Sequence, residues 1–268
     1  MKAIPQLIFA GALATLASAA NAASCNDPSA FPAWIEEIKR EAAAQGISPR
    51  GIAALNGVTY DVAVVSRDRR QGVFHQSFEQ FAGRMVPPRL ARGRQMMNRH
   101  AALLARIERQ FGVSPAVVVA IWGLETDFGA DSGRFQTVRA LATLAYDCRR
   151  PDKFRPELLD ALRIVARGDM SPAEMHGAWA GEIGQTQFMP SSYLKFAVDY
   201  DGDGRRDLIR SVPDVLASTA NYLRGYGWQH GAPYGPGTKN FEVILAWNKA
   251  QVYARTIAYF AERLEGAR

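Results

Sequence analysis

The segment Ala120-Ile121-Trp122-Gly123-Leu124-Glu125-Thr126-Asp127-Phe128-Gly129 is the first place where residue types suggest chemistry. A carboxylate near the end of an apolar helix, flanked by Trp122 and Phe128, is poorly solvated. Its pKa then rises and it can hold a proton near neutral pH, as a general acid must. The competing reading is an exposed carboxylate at a helix C-terminus, where the macrodipole makes it slightly unfavourable. Cleavage of a glycosidic bond generally uses two carboxylates, which makes Asp127 the partner to examine. Two positions along a helix separate side chains by about 200° around the axis, so Glu125 and Asp127 cannot face one cleft if the helix runs through both. Asp127 therefore reads as structural, a cap for the chain beyond the helix. Glu182, in Gly181-Glu182-Ile183-Gly184, is the better second acid, and a loop carboxylate bonded to backbone amides explains it equally well.

Two further segments carry recognisable chemistry. Gly184-Gln185-Thr186-Gln187-Phe188-Met189-Pro190-Ser191-Ser192-Tyr193 sets amides and hydroxyls beside aromatics, which suits a sugar and equally a turn leading into a helix. Asp199-Tyr200-Asp201-Gly202-Asp203-Gly204 matches the start of a calcium loop, with Gly at the sixth position. Asp199, Asp201 and Asp203 would converge on the cation, Arg205 would ligate through its carbonyl, and Arg210 stands where a bidentate Glu is expected. Asp214 is a candidate to close the site. The alternative is a solvated acidic turn balanced by arginines. HExxH, zinc-type cysteine clusters, a Walker loop and a strand followed by GxGxxG are all absent from the sequence. The four histidines, His75, His100, His176 and His230, lack ligand spacing. No cofactor for catalysis is called for, and any Ca2+ would be structural.

The elements that must position these residues are mostly helical. Expected helices run from Pro32 to Gln45, from Ser48-Pro49, from Pro88 to Gln110 as one long element, and over Ala116 to Leu124 behind a Ser114-Pro115 cap. A capping-box pattern follows at Ser171-Pro172-Ala173-Glu174, then helices over Pro213 to Arg224 and Asn248 to Leu264. Strand-like alternation is scarce. Tyr226 to Asn240, dense in Gly and Pro, reads as an irregular loop of the kind that lines a groove or turn.

Residues 1–22 combine a charged start, a short apolar run and Ala20-Asn21-Ala22, the pattern of a signal peptide with an A-x-A cleavage site. The mature chain would be 268 − 22 = 246 residues with net charge +5, since Lys2 is the only charge removed from +6. Its basic balance suits an anionic cell-wall polymer; nucleic acid would suit it too, but export argues against that. Cys25 and Cys148 are the two cysteines. In an exported chain they are expected to pair, closing a loop worth about 4 to 5 kcal/mol on the loop-entropy model. The other use for Cys25 is lipid anchoring, through the imperfect lipobox Ala22-Ala23-Ser24-Cys25.

WGLETDFG, AGEIGQTQFMPSSY, DYDGDG, NYLRGYGW and WNKAQVYA, in this order from about Cys25 to the C-terminus, together resemble the membrane-bound lytic transglycosylase B family of murein-degrading enzymes. The resemblance implies a mainly α fold. Its lysozyme-like, goose-type/transglycosylase core would cover approximately 112–225 of a 23–268 domain, with N- and C-terminal helical segments packed around it and an EF-hand-like loop. It implies that Glu125 alone protonates the bond between N-acetylmuramic acid and N-acetylglucosamine, then takes the C6 hydroxyl proton as a 1,6-anhydro end forms. Gln187 and Tyr222 would contact sugar, Asn248 and Tyr253 would surround Glu125, Arg149 and Arg150 would meet the peptide stem, and Trp247 and Glu182 are further substrate-binding candidates. Trp247 stands where relatives can carry Tyr, Ala178 where Ser can occur, and Glu182 where an apolar residue can occur. The implied setting is periplasmic, as a monomer on peptidoglycan glycan strands, with cell-wall synthesis proteins as candidate partners. Two rival functions are a non-catalytic peptidoglycan binder and a muramidase-type hydrolase using Glu125 with Glu182.

Overall fold

Proline opens most of the longer helices, because its missing N–H falls where a helix has no internal acceptor to lose. The computed structural model describes residues 25, 27–70 and 76–266; the expected signal segment at 1–22 lies outside them. The order is α1 (Phe31–Ala44), α2 (Pro49–Ile52), a 3-10 turn (Ala53–Leu55), α3 (Val62–Arg69), α4 (Phe78–Met85), α5 (Pro87–Arg99), α6 (Ala101–Phe111) and α7 (Pro115–Thr126). Then come β1 (Phe135–Gln136), α8 (Thr137–Tyr146), α9 (Pro151–Arg167), β2 (His176–Gly177), α10 (Pro190–Phe196), α11 (Val212–Gly225), α12 (Lys239–Trp247) and α13 (Gln251–Glu265). The two short strands pair antiparallel, Phe135 with Gly177 and Gln136 with His176.

Helix α7 is the central element. From Ala116 to Leu124 every residue is buried, as its all-round apolar sequence requires. Helices α5, α6, α11 and α13 surround it. At Gly123 an added Cβ would lie 2.7 Å from the Phe128 ring and 3.0 Å from Phe260. The missing side chain is what lets α13 and the chain after α7 close on this helix.

Several expected boundaries move, for physical reasons. The single helix expected over Pro88 to Gln110 is two, broken at His100 (φ −106°, ψ 18°). Both helices reach α7, but α5 also packs on α13 and α6 mainly on α11, so the two halves run to different neighbours on either side of the break. The last helix begins at Gln251, because Asn248 already terminates α12. Ser114 sits at the N-cap of α7 but does not cap it with its side chain; Ser114 Oγ donates to Glu265 Oε1 at 2.9 Å. At Ser171 the Glu174 carboxylate does reach back to the Ser171 N–H, 2.9 Å, but only a turn follows before β2.

Cys25 and Cys148 form the expected disulfide, with Cα atoms 5.4 Å apart across 123 positions of sequence. On the loop-entropy model this stabilises by about 5 kcal/mol. The bridge uses the sulfur that lipidation would need, so of the two uses weighed for Cys25 the structure adopts pairing. Tyr146 OH donates to Asp27 O (2.8 Å), and Phe31, Trp34, Tyr60 and Tyr146 pack ring on ring beside it. Among the described residues no helix is long and apolar enough to cross a membrane.

Candidate active site

Helix α7 stops one residue after Glu125, at Thr126. Asp127, Phe128 and Gly129 continue the chain in left-handed conformation, with φ of 52°, 60° and 78°. Such backbone is costly for the two side-chain-bearing residues, so it must be held from outside. Arg89 supplies the hold. Its Nε donates to Gly123 O (3.0 Å) and pairs with Asp127 Oδ1 (2.7 Å), and its NH1 donates to Met85 O (2.8 Å). A guanidinium there also answers the negative end of the helix dipole. Asp127 is thus structural, as its spacing from Glu125 suggests, although the helix ends before it instead of running through it. Arg89 was not legible as part of the site; its only sequence signal is its place in the first turn of α5.

Glu125 is half-buried and receives two hydrogen bonds on one oxygen. Trp247 Nε1 donates to Oε1 at 2.9 Å and Tyr253 OH donates to the same atom at 2.8 Å. Among the described residues, no donor reaches Oε2. Burial pushes the Glu125 carboxyl up to about 7; the two hydrogen bonds pull it down, and the nearby Glu182 carboxylate adds to the rise. Burial, with Glu125 beside it, also raises the Tyr253 phenol well above its ordinary value, so Tyr253 stays a hydrogen-bond donor.

The loop from β2 to α10 forms the facing wall. Ile183 and Phe188 bridge across it, Gln185 N bonds Leu208 O, and Gln185 Oε1 accepts from Trp122 Nε1 at 2.9 Å. Thr126 Oγ1 donates to Gln185 O at 2.5 Å, tying the end of α7 to this loop. At Gly129 a Cβ would lie 2.3 Å from Gln185 Oε1, so glycine is required by both conformation and space. Gln187, expected to meet sugar, has its amide engaged: Oε1 accepts from Ala178 N (2.9 Å), and Nε2 donates to Ser132 O (3.0 Å) and Gly184 O (2.6 Å). Glu182 Oε2 accepts from Ala180 N at 2.9 Å, and burial raises its pKa against that bond and the charge of Lys153.

A cavity of about 890 Å³ opens beside these residues, lined by Arg67, Arg70, Arg150, Lys153, Trp179, Glu182 and Asn248 among others. Glu125 is not on its wall. It adjoins the cavity through Glu182, whose charge it feels, and through Asn248, which follows Trp247. Arg149 and Arg150 converge on the buried Asp68 carboxylate, Arg149 NH1 at 2.6 Å from Oδ2 and Arg150 NH2 in contact with Oδ1. Arg150 alone of the two lines the cavity. Tyr222 donates to Ala246 O (2.8 Å) and its ring packs on Trp247, centroids 4.8 Å apart, so it supports the residue that bonds Glu125. Asn248 Oδ1 accepts from Ala250 N at 3.0 Å.

Residues 30–238 match the model of the transglycosylase SLT domain. The chain belongs to that family. It is 35% identical over 148 residues to the membrane-bound lytic murein transglycosylase B of Escherichia coli (strain K12), an alignment covering 55% of this chain and 41% of that relative. The matched stretch is thus well under half of that relative's length. Among solved structures, SltB3 from Pseudomonas aeruginosa in complex with NAG-anhNAM-pentapeptide superposes with TM-score 0.83 at 32% identity, over 88% of this chain and 80% of that one. The soluble lytic transglycosylase SltB1 from the same organism gives 0.81 at 26%, over 88% and 99%. The mainly α, lysozyme-like architecture expected from the sequence is therefore present.

In this transglycosylase-family chain the acidic loop brings together only part of its expected ligand set. Asp199, Asp201 and Asp203 each offer an oxygen within 4.8 Å of the others, a fit for one hard cation. Asp214 is not with them. It is fully buried, and its carboxylate accepts from the amides of Tyr200 (2.7 Å) and Asp207 (2.8 Å), so it shapes the loop from behind. The Arg205 side chain turns to Asp169 O and Glu174, and Arg210 pairs with Glu174 at 2.8 Å. Position twelve of the loop therefore supplies no ligand.

Proposed function

We propose that this protein is a lytic transglycosylase of peptidoglycan, cleaving the β-1,4 bond between N-acetylmuramic acid and N-acetylglucosamine with Glu125 as its only acid and base. The observation that carries the reading is the state of Glu125: a carboxyl raised to about 7, with two donors on Oε1 and none among the described residues on Oε2. Protonated, Oε2 gives its proton to the glycosidic oxygen as the C1–O bond breaks. Trp247 and Tyr253 then stabilise the carboxylate that remains. The substrate's N-acetyl group stabilises the muramoyl intermediate. The C6 hydroxyl of that sugar bonds to C1, and its proton returns to Glu125, giving a 1,6-anhydro end.

Among the described residues, the two neighbouring carboxylates are engaged elsewhere, which supports a nucleophile drawn from the substrate. Asp127 is turned to Arg89, and Glu182 is fixed by Ala180 N–H. Arg150 and the rest of the cationic cavity wall suit carboxylates of the peptide stem, with Tyr222, Gln187 and Asn248 framing the sugar side. Asp199, Asp201 and Asp203 hold a structural Ca2+. The setting is the periplasm, from the character of residues 1–22.

Digestion of purified sacculi, with the released muropeptides read by mass, tests the reading. Anhydro ends, lighter than hydrolysed ones by one water, are expected. Reducing ends would indicate the two-carboxylate hydrolase, and no release the non-catalytic binder.

A further inference from the structure

The loop that starts at Tyr226 is the feature of the sequence that the mechanism leaves unused. Tyr226 terminates α11, its N–H bonded to Tyr222 O (3.1 Å) and Leu223 O (3.2 Å), and Gly227 (φ 94°) turns the chain away behind it. Its ring is therefore set by backbone at a helix end and not by a mobile tip. It is also 46% exposed, in contrast to the aromatics around it: Tyr222 is 7%, Phe196 5% and Phe188 2% exposed.

Ring contacts form a continuous path from Tyr226 to the acid. Tyr226 stacks on Tyr222 with centroids 4.6 Å apart and planes 29° apart, as the i, i+4 spacing on one helix allows. Tyr222 packs against Trp247 at 4.8 Å, and Trp247 donates to Glu125. Lys195 Nζ lies 5.5 Å from the Tyr226 centroid. A rigid, half-exposed ring two ring steps from the group bonded to Glu125, with a flexible ammonium over it, has the chemistry that binds the apolar face of a pyranose carrying a carboxylate substituent. Tyr222 stacks on the Tyr226 ring, Phe196 packs against it at 5.5 Å, and the flexible Lys195 side chain lies over it, so a ligand meets the exposed part of the ring together with that ammonium.

We infer that Tyr226 is a sugar-stacking platform for the glycan strand beyond the units that span Glu125, making this protein selective for long strands over short oligosaccharides. The inference rests on the proposed action on peptidoglycan. Tyr226 is a binding residue and touches no reacting atom.

The test is equilibrium binding in a Glu125→Gln background, which keeps ligands intact. Two probes are titrated: long glycan strands freed of peptide by an amidase, and the tetrasaccharide of two disaccharide units. Adding Tyr226→Ala is expected to weaken binding of long strands about tenfold, the scale of one lost ring face, while the tetrasaccharide changes less than about twofold. Tyr226→Phe, which keeps the ring, should bind both like its parent. Unchanged affinity for long strands would overturn the inference. Equal weakening for both lengths would overturn it too, since Tyr226 would then act only by supporting Tyr222 and Trp247. Failure of the Glu125→Gln parent to bind either glycan would instead remove the peptidoglycan reading, and the platform with it.

Discussion

The Tyr253 hydroxyl donates to Glu125 Oε1 over 2.8 Å, joining two helices whose residues are 128 positions apart. With Trp247 on the same atom, α12 and α13 fix one oxygen of the Glu125 carboxyl, while no donor among the described residues reaches the other. Tyr253→Phe should therefore lower kcat about ten- to a hundredfold, the value of one hydrogen bond to a charged group. It should also move the alkaline limb of the rate profile upward, because the lost donor opposes the rise of the Glu125 pKa. A variant with normal kcat and an unmoved limb would show that Tyr253 only fills space.

Activity should depend on pH through the protonated fraction of Glu125. With its carboxyl near 7, kcat/KM is expected to fall above about pH 7, approaching tenfold per unit. A profile flat through pH 8 would place the titrating acid elsewhere.

The same shift affects stability. The folded-state pKa lies above the ordinary value of 4.5, so the folded protein binds the extra proton between 4.5 and about 7. Stability linked to Glu125 is complete below 4.5, is lost as pH rises through that window, and stays lost above it, by up to about 3 kcal/mol. Glu125→Gln should abolish turnover while melting higher than the wild type near pH 8, and at about the same temperature near pH 4.5. Substantial residual turnover, or a variant less stable than wild type near pH 8, would contradict this.

Neither neighbouring carboxylate should be needed for bond cleavage. Asp127→Asn loses a half-exposed ion pair worth at most about 1 kcal/mol and should keep turnover within a few-fold. Glu182→Gln should keep the anhydro product and move the alkaline limb downward, since a negative neighbour that raises the Glu125 pKa is gone. Loss of turnover in Glu182→Gln with an intact fold would favour the two-carboxylate hydrolase.

Calcium should raise the melting temperature of the wild type and leave kcat unchanged, through Asp199, Asp201 and Asp203. Asp201→Asn should blunt the rise. A melt that does not respond across a calcium titration would mean the loop is a self-bonded acidic turn.

Local chemistry made α7 and its proline start legible, but it left Glu125 between an acid and an exposed helix-end carboxylate, and the accompanying motifs were what singled it out. Cys25 with Cys148 was legible from their number. The rest depends on contacts between distant segments. Nothing near Arg89 marks it as the brace for the end of α7, and the break at His100 accompanies a change of main neighbour, from α13 beside α5 to α11 beside α6, that local sequence does not carry. Gln187 and Asp214 illustrate the reverse case. Their residue types suit sugar and cation, yet their side chains bond backbone amides and carbonyls in a fold that only the assembled loop reveals.

In the proposed mechanism the attacking oxygen belongs to the substrate and not to water. Digestion of sacculi in heavy-oxygen water, with mass analysis of the released muramoyl ends, measures this directly. No heavy oxygen in those ends is predicted. Incorporation of one heavy oxygen per cleaved bond, at the muramoyl C1, would contradict the mechanism.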